Sequence, residues 1–325
     1  MLRPFVSRVP LVLTLLSMLA LVGLTGCGGP SGDDPSVDGE APQKLVLGLV
    51  PAREADVLIE NTDELSEALS AELGVPVESF VPQDYTGLVE AMGSGRADIG
   101  LLPPFAAMLG NQRYGIEPVL ISVRRGEATY KAQWMTTDPS LCAEPPTADE
   151  NGMLRCDGPI EGVRGRLVAF TDPTSTSGHL FPALQLLDAG INPEQDIQSV
   201  FIGGHDAAAI AVYNGDVEVG VAFEDVRRLL RDEYPDIGEK VIVFGQSPPI
   251  PNDGVTVRGD LPPETRDAIR RAFLAITERD ADKPQEERVL WRIYEIDGFV
   301  AVEPGLYDVV KRAFREMRDK IDLNS

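Results

Sequence analysis

Residues Asp84–Leu102 read DYTGLVEAMGSGRADIGLL, and residues Gly204–Ala222 read GHDAAAIAVYNGDVEVGVA. The two segments align without gaps at an offset of 120 residues: Gly95 falls on Gly215, Asp98 on Glu218 and Gly100 on Gly220. The apolar positions of the leading helical part match as well. Each segment reads as an amphipathic helix, a glycine-bearing turn and a short apolar strand, so the same piece of a βαβ unit stands in two halves of the chain.

Outward from the first copy, short apolar runs alternate with helical segments. KLVLGLV (Lys44–Val50) predicts a strand, Thr62–Leu73 a helix, Val75–Val81 a strand, the stretch from Asp84 a helix and Ala97–Leu102 a strand. This alternation implies parallel βαβ units, and the fold class expected is α/β, two α/β lobes joined by extended hinge strands with a ligand cleft between them. Ligands of open parallel sheets sit beyond the C-terminal ends of the strands. Tyr85 and Thr86 of one lobe, and His205 and Asp206 of the other, then occupy equivalent first helical turns at the cleft. ATYKAQWMTT (Ala128–Thr137) and KVIVFGQSPPIPND (Lys240–Asp253) are expected to be extended and to carry the chain across and back. Three helical stretches, Pro263–Glu278, Pro284–Ile293 and Gly305–Lys320, are expected on the first lobe. That gives residues 44–130 plus 248–325 as lobe 1 and 131–247 as lobe 2, with a loop insertion at 138–160.

The chain has 325 residues, 43% of them hydrophobic, enough for two cores. Its 52 acidic against 29 basic residues, a formal charge of -23, argue against nucleic acid or an anionic membrane surface as partner. Arg3 and Arg8 precede the apolar run LVLTLLSMLALVGL (Leu11–Leu24), and LTGC follows, ending at Cys27. The run is shorter than the roughly 18 to 20 apolar residues of a membrane span and reads as a secretory signal. Its end resembles the lipobox of bacterial lipoproteins. That resemblance implies removal of residues 1–26, lipidation of Cys27, an extracytoplasmic protein anchored to the membrane through lipid only, and a mature charge of -25 once the two arginines are lost. GGPSGDDPSVDGEAPQ, completing 27–43, reads as a flexible tether. In an exported chain Cys142 and Cys156 form a candidate disulfide around AEPPTADENGMLR, worth about 3 kcal/mol through the unfolded state. Free thiols or a metal site are the alternatives.

A second stretch carries the chemistry. In FTDPTSTSGHLFP (Phe170–Pro182) a strand, RLVAFT, runs into a hydroxyl-rich turn, and Ser177 is expected to open a helix with Leu180, Leu184 and Leu187 toward the core. Free amides, hydroxyl donors and the positive end of a helix can hold a small tetrahedral oxyanion without a lysine. An ordinary serine N-cap would read the same way. Gly178 permits close backbone approach, and His179 in the first turn could donate to a ligand oxygen. The chain has two histidines, with no close His or Cys spacing for a metal, and STSG is not a G-x-S-x-G nucleophile elbow. The expectation is therefore a binding protein without catalytic residues, metal or cofactor.

DYTGLVEAMGSGRADIGLL, DPTSTSGHLFP, GGHDAAAIAVYNGDVEVGVAFEDV and SPPIPND, in that order, resemble the phosphate, phosphite and phosphonate substrate-binding proteins of bacterial ABC importers. The resemblance runs from about Leu45 to the C-terminus. It implies the type 2 periplasmic-binding-protein fold, monomeric, with permease and ATPase partners and a small phosphorus oxyanion as ligand. Carried over, Ser175, Thr176, Ser177 and His179 would grip the phosphoryl oxygens, Tyr85 would reach from the opposite lobe, Asp206 would face the ligand's other end, and Tyr130 would stand near the crossover. Two departures are visible: LLPPFAAML replaces an aromatic-glycine pair, and Phe223 stands where the family often has Asp or Asn. The second weakens a claim for aminoalkyl phosphonates. A ligand-sensing receptor subunit, or a site for sulfonate, sulfate or nitrate, would share these features.

Overall fold

The computed structural model describes residues 42–53 and 55–324; the expected signal sequence, Cys27 and nearly all of the expected tether lie outside them. The strand Leu45–Leu49 is buried along almost its whole length, with Leu45, Leu47 and Leu49 at 1% exposure or less, so both of its faces need cover. It lies between Val77–Phe80 and Ile99–Leu102, parallel to both. The sheet continues from Ile99–Leu102 through Gly254–Val257 and Glu117–Val123 to Gly298–Val300, each antiparallel to its neighbour.

The second sheet repeats this order. Leu167–Phe170 lies between Gln198–Phe201 and Val219–Phe223, parallel to both. Next come Ala132–Thr136, antiparallel to its two neighbours, and Ile242–Gln246. Two short strands, Leu154–Arg155 and Thr147–Ala148, extend the far edge. The antiparallel strand inside each sheet follows a crossing between sheets: Ala132–Thr136 after the first and Gly254–Val257 after the second. The crossings themselves pair antiparallel, Thr129–Tyr130 with Ile250–Pro251.

The sequence echo has a physical basis. Gly95 and Gly215 both take left-handed backbone, at φ 75° and 78°, directly after their helices. Gly100 and Gly220 both let a helix press on a strand: a Cβ would meet Met92 Sδ at 2.6 Å in one half and Val212 Cγ2 at 2.8 Å in the other. Asp98 accepts the N–H of Val46 at 2.9 Å, and Glu218 accepts that of Leu167 at 3.0 Å, so each carboxylate pins a neighbouring parallel strand. The repeated residues are those that fasten helix to sheet.

Differences from the expected elements are local. The first helix begins at Ala55 rather than near Thr62, because Leu58 continues the buried stripe of Leu65 and Leu69. The Pro284–Ile293 segment divides into a 3-10 turn, Gln285–Glu287, and a helix, Val289–Tyr294, whose first N–H donates to the buried Asp280 carboxylate at 3.3 Å. The helix Asp308–Asn324 packs on both halves: Val310, Ala313 and Met317 share a cluster with Phe105 and Met108 of Pro104–Tyr114 and with Phe181 and Leu187 of Phe181–Asp188. Cys142 and Cys156 form a disulfide with Cα atoms 5.6 Å apart, closing the predicted loop. Among the described residues no helix is long and apolar enough to cross a membrane.

Gly220→Ala should lower stability by about 1–3 kcal/mol, the usual cost of overpacking, since its Cβ would also meet the Ala208 carbonyl oxygen at 3.0 Å. A urea midpoint equal to that of the wild type would show that helix and strand are not held this closely.

Candidate functional site

A cavity of about 320 Å³ lies where the C-terminal ends of the two sets of parallel strands meet. Val50, Ala52, Tyr85 and Pro103 line it from the first sheet's side, Ser175, Ser177, His205 and Phe223 from the second's, and Tyr130 and Asp253 from the crossings. Its geometry starts at the end of Leu167–Phe170. There Thr171 packs so closely on Gly178 that a Cβ would lie 1.8 Å from Thr171 Oγ1, and Thr171 N–H donates to the Gly178 carbonyl at 3.1 Å. Only glycine fits.

The turn between them closes on itself. Asp172 Oδ1 accepts from the N–H and hydroxyl of Thr174 at 2.7 and 2.8 Å. Ser175, not Ser177, caps the helix: its Oγ accepts the N–H of Gly178 at 3.0 Å. The cap satisfies one lone pair and leaves the hydroxyl proton free to donate into the cavity. The first helical turn, Thr176–Leu180, is wound as a π-helix before Phe181–Asp188 continues as α. Amides of the opening turn have no acceptor inside the helix, and they sit at its positive end.

The other cavity donors are held uncharged. Burial, with Tyr294 and Asp172 nearby, pushes the Tyr85 phenol well above its ordinary range. Burial likewise pushes Tyr130 up to about 12, against opposing hydrogen bonds from Ser177 and Thr176. His205 is held down at about 3 by burial, and its Nδ1 accepts the N–H of Phe223 at 3.1 Å. The neutral ring therefore carries its proton on Nε2, as a donor. Hydroxyls, phenols, an imidazole N–H and amides form one neutral donor set.

Charged groups on the remaining wall are mostly paired. Arg124 binds the Asp253 carboxylate and donates from Nε to the Tyr294 carbonyl at 2.6 Å. Burial works to depress the Arg124 guanidinium, but Asp253 beside it outweighs this and raises it overall. Glu295 is shared by Arg125 at 2.8 Å and Arg228 at 2.6 Å. Arg53 donates to the Ile293 carbonyl at 3.2 Å, and Glu224 accepts from Gln246 Nε2 at 3.4 Å.

Among the described residues, four contacts link the halves around the cavity. Tyr85 N–H donates to Asp172 Oδ2 at 3.1 Å, Phe105 N–H to Thr176 Oγ1 at 3.0 Å and His205 N–H to the Ala52 carbonyl at 3.1 Å, while Arg228 meets Glu295.

Of the nine residues expected at the site, Tyr85, Tyr130, Ser175, Ser177 and His205 come together on the cavity wall. The other four do not line it. Thr86 is exposed on the outer side of its helix. Thr176 is fully buried beneath the wall with its oxygen engaged by Phe105. His179 turns outward between Phe170 and Phe201, at 5.3 and 5.0 Å, and its Nδ1 donates to the Pro173 carbonyl at 2.7 Å. Asp206 is buried one position past His205, its Oδ1 accepting the N–H of Ala207 at 2.8 Å. Arg124, Asp172, Asp253, Tyr294 and Glu295 were missed. SPPIPND contains Asp253, and RRGE (Arg124–Glu127) carries the turn signature that places Arg124.

Two α/β sheets with matching strand order, two crossing strands and a cavity between the sheet ends define the type 2 periplasmic-binding-protein fold. Residues 47–307 match the family described as ABC transporter, phosphonate, periplasmic substrate-binding protein, and the chain belongs to that family. It is 29% identical to the phosphate-import protein PhnD of Mycolicibacterium smegmatis over 66% of this chain, and the match spans just under two thirds of that protein's length, 65%. It is 24% identical to the phosphonates-binding periplasmic protein of Escherichia coli, over 82% of this chain and 75% of that one. Among solved structures, a binding component of an ABC phosphonate transporter from Pseudomonas aeruginosa superposes with TM-score 0.73 at 19% identity, covering 88% of this chain and 90% of that one. PhnD1 of Prochlorococcus marinus in complex with methylphosphonate gives TM-score 0.71 at 18% identity, covering 85% and 98%.

The His205 ring should stay neutral, protonated at Nε2, at pH 5. The unfolded ring titrates near 6.5 and the folded one near 3, so the unfolded chain binds the extra proton between those values. Its contribution to stability is full above about pH 6.5 and falls by about 1.4 kcal/mol per pH unit as the pH drops toward 3. Imidazole 15N shifts check this, with His179 the one other histidine in the spectrum; an imidazolium pattern for His205 at pH 5 would contradict it.

Proposed function

We propose that the chain is an extracytoplasmic solute-binding protein that captures a small phosphorus oxyanion (phosphate, phosphite or a phosphonate) and delivers it to an ABC importer, tethered to the membrane by lipid on Cys27. One observation carries the reading: Ser175, Ser177, Tyr85, Tyr130 and His205 converge as uncharged donors on a buried cavity at the start of a helix. A tetrahedral oxyanion needs several donors arranged around it, and neutral ones leave its charge to be balanced by dipoles in a low-dielectric setting. The names of the phosphate-importing and phosphonate-binding relatives support the ligand class.

In this reading residues 44–130 with 248–325 form one lobe and 131–247 the other. Ligand held by Ser175 and Ser177 on one side and Tyr85 on the other adds its own contacts to the bonds from Tyr85 to Asp172 and from Phe105 to Thr176. Binding then favours the closed arrangement, which the permease would recognise. No residue of the cavity is assigned a catalytic step.

Isothermal titration against phosphate, phosphite, methylphosphonate, sulfate and nitrate tests this. Tight binding is expected for at least one phosphorus compound. Each serine hydroxyl bonded to a charged oxygen contributes roughly 1.5–3 kcal/mol, so Ser175→Ala with Ser177→Ala should weaken binding by about 100-fold or more. A response to sulfate or nitrate alone would reject the ligand class.

A further inference from the structure

Arg124 stands on the cavity wall for reasons that begin in the backbone. Arg124 and Glu127 close a tight turn, exchanging N–H···O bonds of 2.9 and 3.0 Å. Arg125 and Gly126 between them both take left-handed backbone, at φ 52° and 79°. Asn252 fastens the same turn from the returning crossing: its Nδ2 donates to the carbonyls of Glu127 and Ser122, each at 2.9 Å. Asp253 follows immediately, and its carboxylate meets the Arg124 guanidinium, which Tyr294 holds from a third direction. Arg124 and Asp253 are 21% and 19% exposed, so the pair is largely withdrawn from water. Their charges act on Tyr130, which hydrogen bonds Ser177, so serine donors, phenol and ion pair follow one another along the wall.

A ligand reaching past the serines therefore meets a carboxylate already taken by an internal cation. We infer that Arg124 sets the specificity of the site: by occupying Asp253 and presenting its own positive charge, it admits phosphorus oxyanions with no charged tail or a short alkyl tail and rejects those bearing an ammonium. The inference rests on the phosphorus-oxyanion reading above and narrows its ligand class. A positively charged tail would lose the carboxylate and sit beside a guanidinium, two unfavourable changes at once. Of the other wall carboxylates, Glu295 is shared by two arginines, Glu127 is exposed at the rim and Glu224 faces Gln246.

The deciding pair of ligands is n-propylphosphonate and 2-aminoethylphosphonate, which match in size and differ in a terminal methyl against a terminal ammonium. The wild-type chain should bind the propyl compound about tenfold or more tightly, a gap of about 1.4 kcal/mol. Arg124→Met should shift the ratio toward the ammonium compound by at least about that factor, because Asp253 is uncovered; Arg124→Lys should keep the wild-type preference, and adding Asp253→Asn to Arg124→Met should cancel the shift. A clamp holding only the crossings together would weaken both ligands equally and leave the ratio unchanged, which overturns the inference. So does wild-type preference for 2-aminoethylphosphonate, with Glu224→Gln then reporting whether Glu224 receives the ammonium. That wild-type ratio needs no variant to fold. Either result leaves the phosphorus-oxyanion reading standing, whereas silence toward phosphate, phosphite and every phosphonate overturns that reading and the inference with it.

Discussion

Absence of a side chain at Gly178 is the constraint on which the cavity depends. With Thr171 Oγ1 only 1.8 Å from where a Cβ would be, the strand end and the helix start occupy almost the same space. That approach makes the intervening turn short. A short turn brings Ser175 to the cap, sends Asp172 toward the opposite sheet, and winds the next five residues as a π-helix. Each donor of the turn is thus placed by backbone packing in its own half and needs no ligand to position it, which spares binding the entropy of ordering it.

An anion site inside a chain of charge -23 is an electrostatic contradiction only if charge is averaged over the surface. Exposed charges are screened over about 8 Å at physiological ionic strength, while donors lining a buried cavity act at contact. Burial also keeps the donors neutral: it raises the tyrosines and lowers His205, so none changes charge near neutrality. A wall of lysines would bind anions more indiscriminately. Arg124 and Arg125 at this wall instead meet carboxylates and Arg53 meets main-chain carbonyls, so the oxygens of the ligand are left to the neutral donors.

The parts legible in the sequence were those set by local repetition. Gly95, Asp98 and Gly100 recur as Gly215, Glu218 and Gly220 because one helix-to-strand junction is built twice, so two similar α/β lobes facing each other across a cleft could be read from that echo. Ser175 and Ser177 were legible because a hydroxyl-rich turn after an apolar strand places donors at a helix start, where Ser175 is an N-cap and also reaches the cavity. Errors of orientation were different in kind. His179 and Thr86 lie in the right turns but on the outer side, and His205 rather than Asp206 reaches the cavity, a one-residue difference worth about 100° of helix rotation. Arg124 with Asp253 escaped notice because their sequence separation of 129 is bridged by the pairing of the two crossings and of the strands beside them, which no local pattern announces.

The two crossings therefore connect the lobes and also furnish part of the site. Tyr130 belongs to one, Asp253 lies just beyond the other, and Arg124 just before the first. Beside them, the helix Asp308–Asn324 is packed on elements of both sheets through Phe314 against Phe105, 5.2 Å apart, and through Val310 and Met317. Relative movement of the sheets must either pivot near these contacts or shear along that helix, since its apolar face is buried against both. If the sheets pivot there, a wall attached to the pivot moves little while the serine turn and Tyr85 travel. Under the proposed function the residues facing the ligand's far end would then stay fixed, and those proposed to grip its oxygens would be the ones that close.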